Sequence, residues 1–148
     1  MAATDVVEWQ GLRLNVRLKL SALWTSLMFF YVYADLLAFF DPRALSALIE
    51  GKTQLVWPLT QAVRLAVAVL LSIPAAMIFL SLVLKANYVR WVNVMTGGVY
   101  TLINAATLLL PTWQFFYRYF ESLEVLFTLY LVWTAWKWPT QSSEAKGA

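Results

Sequence analysis

Neither cysteine nor histidine occurs among the 148 residues. Their absence removes disulfide frameworks, thiol redox pairs, Cys/His zinc sites, His-ligated haem and every catalytic triad built on His. Charge is scarce as well: 13% of the residues are Asp, Glu, Lys or Arg, where a soluble domain carries about 25%. The net charge of +3 is small, and most of the Lys and Arg flank apolar runs, so the chain has no basic patch suited to nucleic acid. What fills the space is apolar: 61% of the residues are hydrophobic and 16% aromatic. This is the composition of a membrane protein.

Four stretches are long enough to cross about 30 Å of hydrocarbon at about 1.5 Å per residue. They run over about 20–40, 59–84, 91–110 and 115–136. The expected fold is therefore all-α, a polytopic membrane protein forming one domain over 1–148, an antiparallel four-transmembrane-helix bundle. No small-residue cleavage site follows the first span, which is expected to stay as an anchor. Arg13, Arg17, Lys19, Lys85, Arg90, Lys137 and Lys146 fall on one side of the bundle, whereas Arg43, Lys52, Arg64 and Arg118 fall on the other. The positive-inside rule then puts both termini in the cytoplasm. Trp57 and Trp113 are expected at the outer interface, and Trp91, Trp136 and Trp138 at the inner one.

The connections 85–90 and 111–114 are short, which predicts antiparallel packing of the second span on the third and of the third on the fourth. Asp41-Pro42 signals a helix start, so a short interfacial helix over about 43–50, ended by Gly51, is expected. Residues 12–20 alternate apolar and polar with strand periodicity, but a lone strand at a membrane surface has no partner, which favours a helix or extended arm continuing into the first span. The polar tail 140–148 is expected to be disordered. Pro74 lies within the second span and should free the carbonyl of Leu70, to be satisfied by Ser72 or a neighbouring helix. Gly97-Gly98 with Ala105-Ala106, and Ala75-Ala76, read as close-packing surfaces.

Ionisable groups at membrane depth carry the functional signal, since each costs about 2.5 to 3.5 kcal/mol at a helix centre. Five occur, Asp35, Arg64, Arg118, Glu121 and Glu124, all toward the outer half. Helical spacing lines them up with other polar residues: Tyr31 with Asp35; Gln114, Tyr117, Glu121, Glu124 and Thr128; Asn93, Tyr100, Asn104 and Thr107. On the fourth span, ten Leu, Val and Phe between Phe115 and Val132 contribute about 3 to 6 kcal/mol of insertion, while three central charges cost about 8 to 10. The acids therefore require Arg64 and Arg118 as partners, or protonation, or a hydrated cavity. Two cations against three carboxylates leave one unmatched, and Glu124, the deepest, is the candidate.

Three readings stay open. Arg118 and Glu121 form a polar outer cap if the fourth span begins near Ser122, with Arg64 snorkelling to the headgroups. Alternatively, Asp35, Arg64, Arg118, Glu121, Glu124, Tyr31, Tyr100 and Asn104 line an outward-facing pocket that binds or translocates a small ligand. In the third, Glu121 and Glu124 act as an acid and base pair on a lipid-like substrate. No nucleophile, metal or cofactor motif accompanies them, so no cofactor and no metal are expected, and a non-enzymatic role is favoured. The expected partners are the lipid bilayer and either a second copy or a membrane partner chain, for which the protein would serve as a structural or accessory subunit.

The run Lys19 to Asp35 (KLSALWTSLMFFYVYAD), Ile73-Pro74 leading into MIFLSLVLK, Arg90-Trp91-Val92-Asn93, Glu121-Ser122-Leu123-Glu124 and Trp133-Thr134-Ala135-Trp136-Lys137-Trp138 together carry a resemblance. Over about 14–139 the chain resembles the small bacterial membrane proteins of Domain of Unknown Function family 6326. The resemblance implies a bacterial four-helix membrane protein and brings no activity and no functional residue with it.

Overall fold

Five helices, and no strand, make up the regular structure of the described residues, which in this computed structural model are 15–52, 58–112 and 114–138. They are α1 (Val16–Ala38), α2 (Pro42–Ile49), α3 (Gln61–Val83), α4 (Ala86–Leu109) and α5 (Phe115–Trp136). Local chemistry sets most of the starts. The Asn15 side chain accepts from the Arg17 amide at 3.0 Å and starts α1 about a turn before the apolar run. Helical pairing thus overrides the strand-like alternation from Val16 onward. Asp41 caps α2 by accepting from the Arg43 amide at 2.9 Å, with Pro42 in the first turn, and Thr60 caps α3 through the Val63 amide at 3.3 Å. Gly51, at φ 74°, takes the left-handed conformation that ends α2. The expectations for 140–148, Arg13, Lys146, Trp57 and Trp113 lie outside the described residues.

Each long helix buries one stripe at three- and four-residue spacing. On α1 it is Leu20, Trp24, Leu27, Ala34 and Ala38; on α3 Pro74, Met77 and Ser81; on α4 Asn93, Gly97, Tyr100 and Asn104; on α5 Glu121, Glu124, Thr128, Leu131 and Ala135. The α5 stripe changes from carboxylates near its start to aliphatic side chains near its end. Opposite faces are apolar and uncovered, with Leu65 at 66% exposure and Leu102 at 72%. A water-soluble chain rarely leaves so much apolar surface bare. By length and composition α1, α3 and residues Tyr88–Leu109 of α4 are able to cross a membrane; α5 is 22 residues long and carries three charged side chains.

The packing order differs in one respect from the expectation. α4 lies along α5, as the short connection requires, but α3 lies chiefly along α1 and touches α4 little. The 84–86 link holds the adjoining ends of α3 and α4 together without forcing them to pack along their length. Two side-chain bridges join them: Ser81 Oγ donates to Asn93 Oδ1 at 3.2 Å, and the Tyr100 hydroxyl donates to the Leu70 carbonyl. That carbonyl is the one Pro74 frees four residues earlier, and the neighbouring helix satisfies it, while Ser72 turns to Ala68 at 2.7 Å. Of the expected small-residue surfaces, Gly97 faces α5 closely, Gly98 faces open space, and Ala75 and Ala76 are exposed.

The start of α1 and the end of α5 sit at the same end of the molecule, with Arg17 over the Trp138 ring at 6.0 Å. There Arg90 stands over Trp91 and Trp136 at 5.8 and 5.9 Å, and Lys137 over Trp133 at 4.3 Å. Cations resting on indole rings at one end form the kind of belt found at a membrane interface.

Candidate functional site

The polar residues of three helices converge on one cleft at the opposite end. α1 contributes Tyr31 and Asp35, α4 contributes Tyr100, Asn104 and Thr107, and α5 contributes Tyr117, Glu121 and Glu124; α3 supplies an aliphatic wall of Val67, Leu70 and Leu71. Its volume is about 510 Å³, within the range of small-molecule sites. Phe39, Leu48, Leu59, Leu110 and Pro111 ring the outer rim. α2 is held over this end because Gln114 Nε2 donates to Asp41 Oδ2 at 2.9 Å, tying the start of α5 to the start of α2.

The three acids step inward. At about 1.5 Å per residue, Asp35 lies about 5 Å from the end of α1, Glu121 about 9 Å from the start of α5 and Glu124 about 14 Å from it. Asp35 is exposed within the cleft, whereas Glu121 and Glu124 are each only 5% exposed. Glu124 lies within electrostatic reach of both other carboxylates. Glu121 Oε2 has no hydrogen-bond partner among the described residues, and neither does Asn104 Nδ2. Around them, Tyr31 donates to Asn104 Oδ1 at 3.0 Å and Tyr117 reaches Asp35 Oδ1 at 3.5 Å, the far limit of a hydrogen bond.

Six of the eight sequence-predicted site residues thus line the cleft, and two do not. Arg64 is exposed and folds back on its own helix start, where Nε and Nη2 donate to the Leu59 carbonyl at 3.2 and 3.1 Å. Arg118 donates to the Leu110 carbonyl; it acts on Glu121 electrostatically from one turn away without forming an ion pair. The expected pairing of Arg64 with an acid is therefore overturned. The nearest unsatisfied acceptor is a backbone carbonyl at the rim, and reaching it costs a long side chain less than burying its charge does. Arg64→Leu should accordingly shift unfolding in detergent by no more than about 0.5 kcal/mol. A thermal melt that drops sharply would restore the ion-pair reading.

Tyr117, part of the polar stripe though outside the predicted set, joins the cleft, as does Thr107. Their spacing from Glu121, Glu124 and Asn104 was the available signal. The described residues hold no group of three acids close enough to share a metal ion. The carboxylates are distributed around a space instead.

An all-helical chain with bare apolar outer faces, three helices long and apolar enough to cross a bilayer, and polar residues turned inward is a membrane protein by its physical design. It belongs to the family of unknown function DUF6326, whose family model matches residues 4–144. No curated protein and no solved structure matches the chain.

Proposed function

We propose that this chain is a four-span protein of the bacterial inner membrane, with both termini in the cytoplasm, that binds a small cationic ligand in its outward-facing cleft. The observation that carries this reading is the lining itself: three carboxylates face one cavity, and no Lys or Arg is among its described lining residues. In a low-dielectric setting such a set stays ionised only with a counter-charge, which a cationic ligand supplies. α5, with Glu121 and Glu124 turned into the cleft and Arg118 bonded to the Leu110 carbonyl near its start, serves as the fourth span because its deeper charges face the protein interior.

Two measurements test this reading. With the cationic belt of Arg17, Lys19, Lys85, Arg90 and Lys137 inside, a fluorescent protein fused after Trp138 should fluoresce, and alkaline phosphatase fused there should be inactive. An active phosphatase at that position reverses the orientation. For the site, Glu124→Gln should leave the fold intact, because the amide keeps the shape and removes only the charge. Binding of hexylamine to the purified protein, followed by native mass spectrometry, should weaken at least about tenfold, the effect of losing one charge-assisted contact. Equal binding by both forms would leave the carboxylates a structural role and favour an accessory subunit.

A further inference from the structure

We infer that the ligand is an amphiphile whose amine head meets the carboxylates and whose aliphatic tail lies in the seam between α3 and α4, continuous with the surrounding lipid. The inference rests on the cation-binding reading above and adds the tail and its position.

The seam follows from the packing. α3 leans on α1 and α4 leans on α5, so the ring of helices is closed everywhere except between α3 and α4. The bridges between those two helices, Ser81 to Asn93 and Tyr100 to Leu70, lie toward the inner end and just outward of mid-height, respectively. Outward of Tyr100, over about 13 Å of each helix, no hydrogen bond joins them among the described residues. Val67 and Leu71 there face Ile103 and Thr107 across the cleft. Neither 65–73 nor 99–109 contains a charged residue, and Val67 is 47% exposed. The flank of the cleft is thus an aliphatic slot open toward lipid, and the outer rim is apolar too.

The chemistry of the two walls differs, and that difference selects an amphiphile. On the back wall, formed by α1 and α5, Glu121 is 95% buried with one oxygen unpartnered among the described residues, beside Glu124, and Arg118, the cation within electrostatic reach, forms no ion pair with it. A bare metal ion is the wrong size, because the described acids do not gather as a ligand set. A primary ammonium carries three N–H donors and bridges carboxylates spread over a larger space. The front wall, formed by α3 and α4, carries polar groups only on α4, at Tyr100, Asn104 and Thr107, while Val67, Leu70, Leu71 and Ile103 beside them match an alkyl chain.

The test uses the full chain in nanodiscs, with bound copies counted by native mass spectrometry for three probes: ethylamine, dodecylamine and dodecanol. One dodecylamine per protein is expected, with dodecanol failing to bind specifically. Val67→Trp, which fills the slot from the α3 side, should weaken dodecylamine at least about tenfold and ethylamine far less. Ile103→Trp repeats the test from α4, and Leu65→Trp, on the lipid face outside the cleft, should bind both amines normally. Dodecylamine binding that survives both slot fillings, or ethylamine binding as tightly as dodecylamine, overturns the tail and leaves the acidic cleft standing. If Glu124→Gln weakens neither amine, the cation-binding reading itself falls.

Discussion

Asn93→Leu should cost this protein about 2 to 4 kcal/mol of stability, one of the two largest losses expected from a single substitution. Asn93 is 1% exposed, and its Oδ1 accepts both from Trp24 Nε1 at 2.7 Å and from Ser81 Oγ at 3.2 Å, while its Nδ2 donates to the Val89 carbonyl at 2.8 Å. One side chain on α4 therefore holds α1 and α3 together. Interhelical hydrogen bonds in membranes are individually modest, about 0.6 kcal/mol on average and up to about 1.7. A one-sided deletion is more severe than that average, because the Trp24 and Ser81 donors stay buried with no acceptor, at about 1 to 3 kcal/mol each. SDS-driven unfolding in mixed micelles measures it. Ser81→Ala added to Asn93→Leu should recover part of the loss, and an unchanged midpoint for Asn93→Leu alone would show that the network contributes nothing.

Gly97→Leu is expected to be comparably damaging, by about 3 kcal/mol or more, through packing alone. A Cβ at Gly97 would stand 2.8 Å from both Leu131 Cδ2 and Val132 Cγ2. Those atoms are the far ends of side chains, so Gly97→Ala asks only for small shifts, whereas a leucine has no room and must push α4 off α5. Gly98 provides the internal comparison, since nothing lies within 4 Å of the equivalent position. Gly98→Leu should be near neutral in the same unfolding assay, and equal damage at both positions would dismiss close packing as the cause.

These two residues show how unevenly the molecule could be read in advance. The polar stripe Asn93, Tyr100, Asn104 and Thr107 is visible in the spacing, yet its members serve two purposes: Asn93 binds helices together, and Asn104 and Thr107 line the cleft. Spacing places residues on one face of a helix and does not say what stands opposite. Likewise the Gly97-Gly98 pair signals a close approach, but only the helix rotation determines which glycine makes it. Arg64 differs from the ion-pair expectation for a related reason. Its charge predicted a need for a partner, and the carbonyl of Leu59, five residues back, met that need without any acid.

The sequence by itself determined what depends on transfer from water and on local backbone chemistry. It set the long apolar helices, the excess of Lys and Arg at one end, the short helix from Pro42 to the Gly51 turn, and the carbonyl that Pro74 leaves at Leu70. Each is fixed by a residue and its neighbours within a few positions. Only the tertiary structure decided that α3 rests on α1 instead of α4, that Tyr100 is the donor to Leu70, and that Tyr117 joins the carboxylates while the arginines turn away. The physical reason lies in the solvent. Lipid is as apolar as a leucine side chain, so hydrophobicity places a helix in the bilayer without choosing its neighbours, and that choice falls to small residues and a few hydrogen bonds between distant parts of the chain.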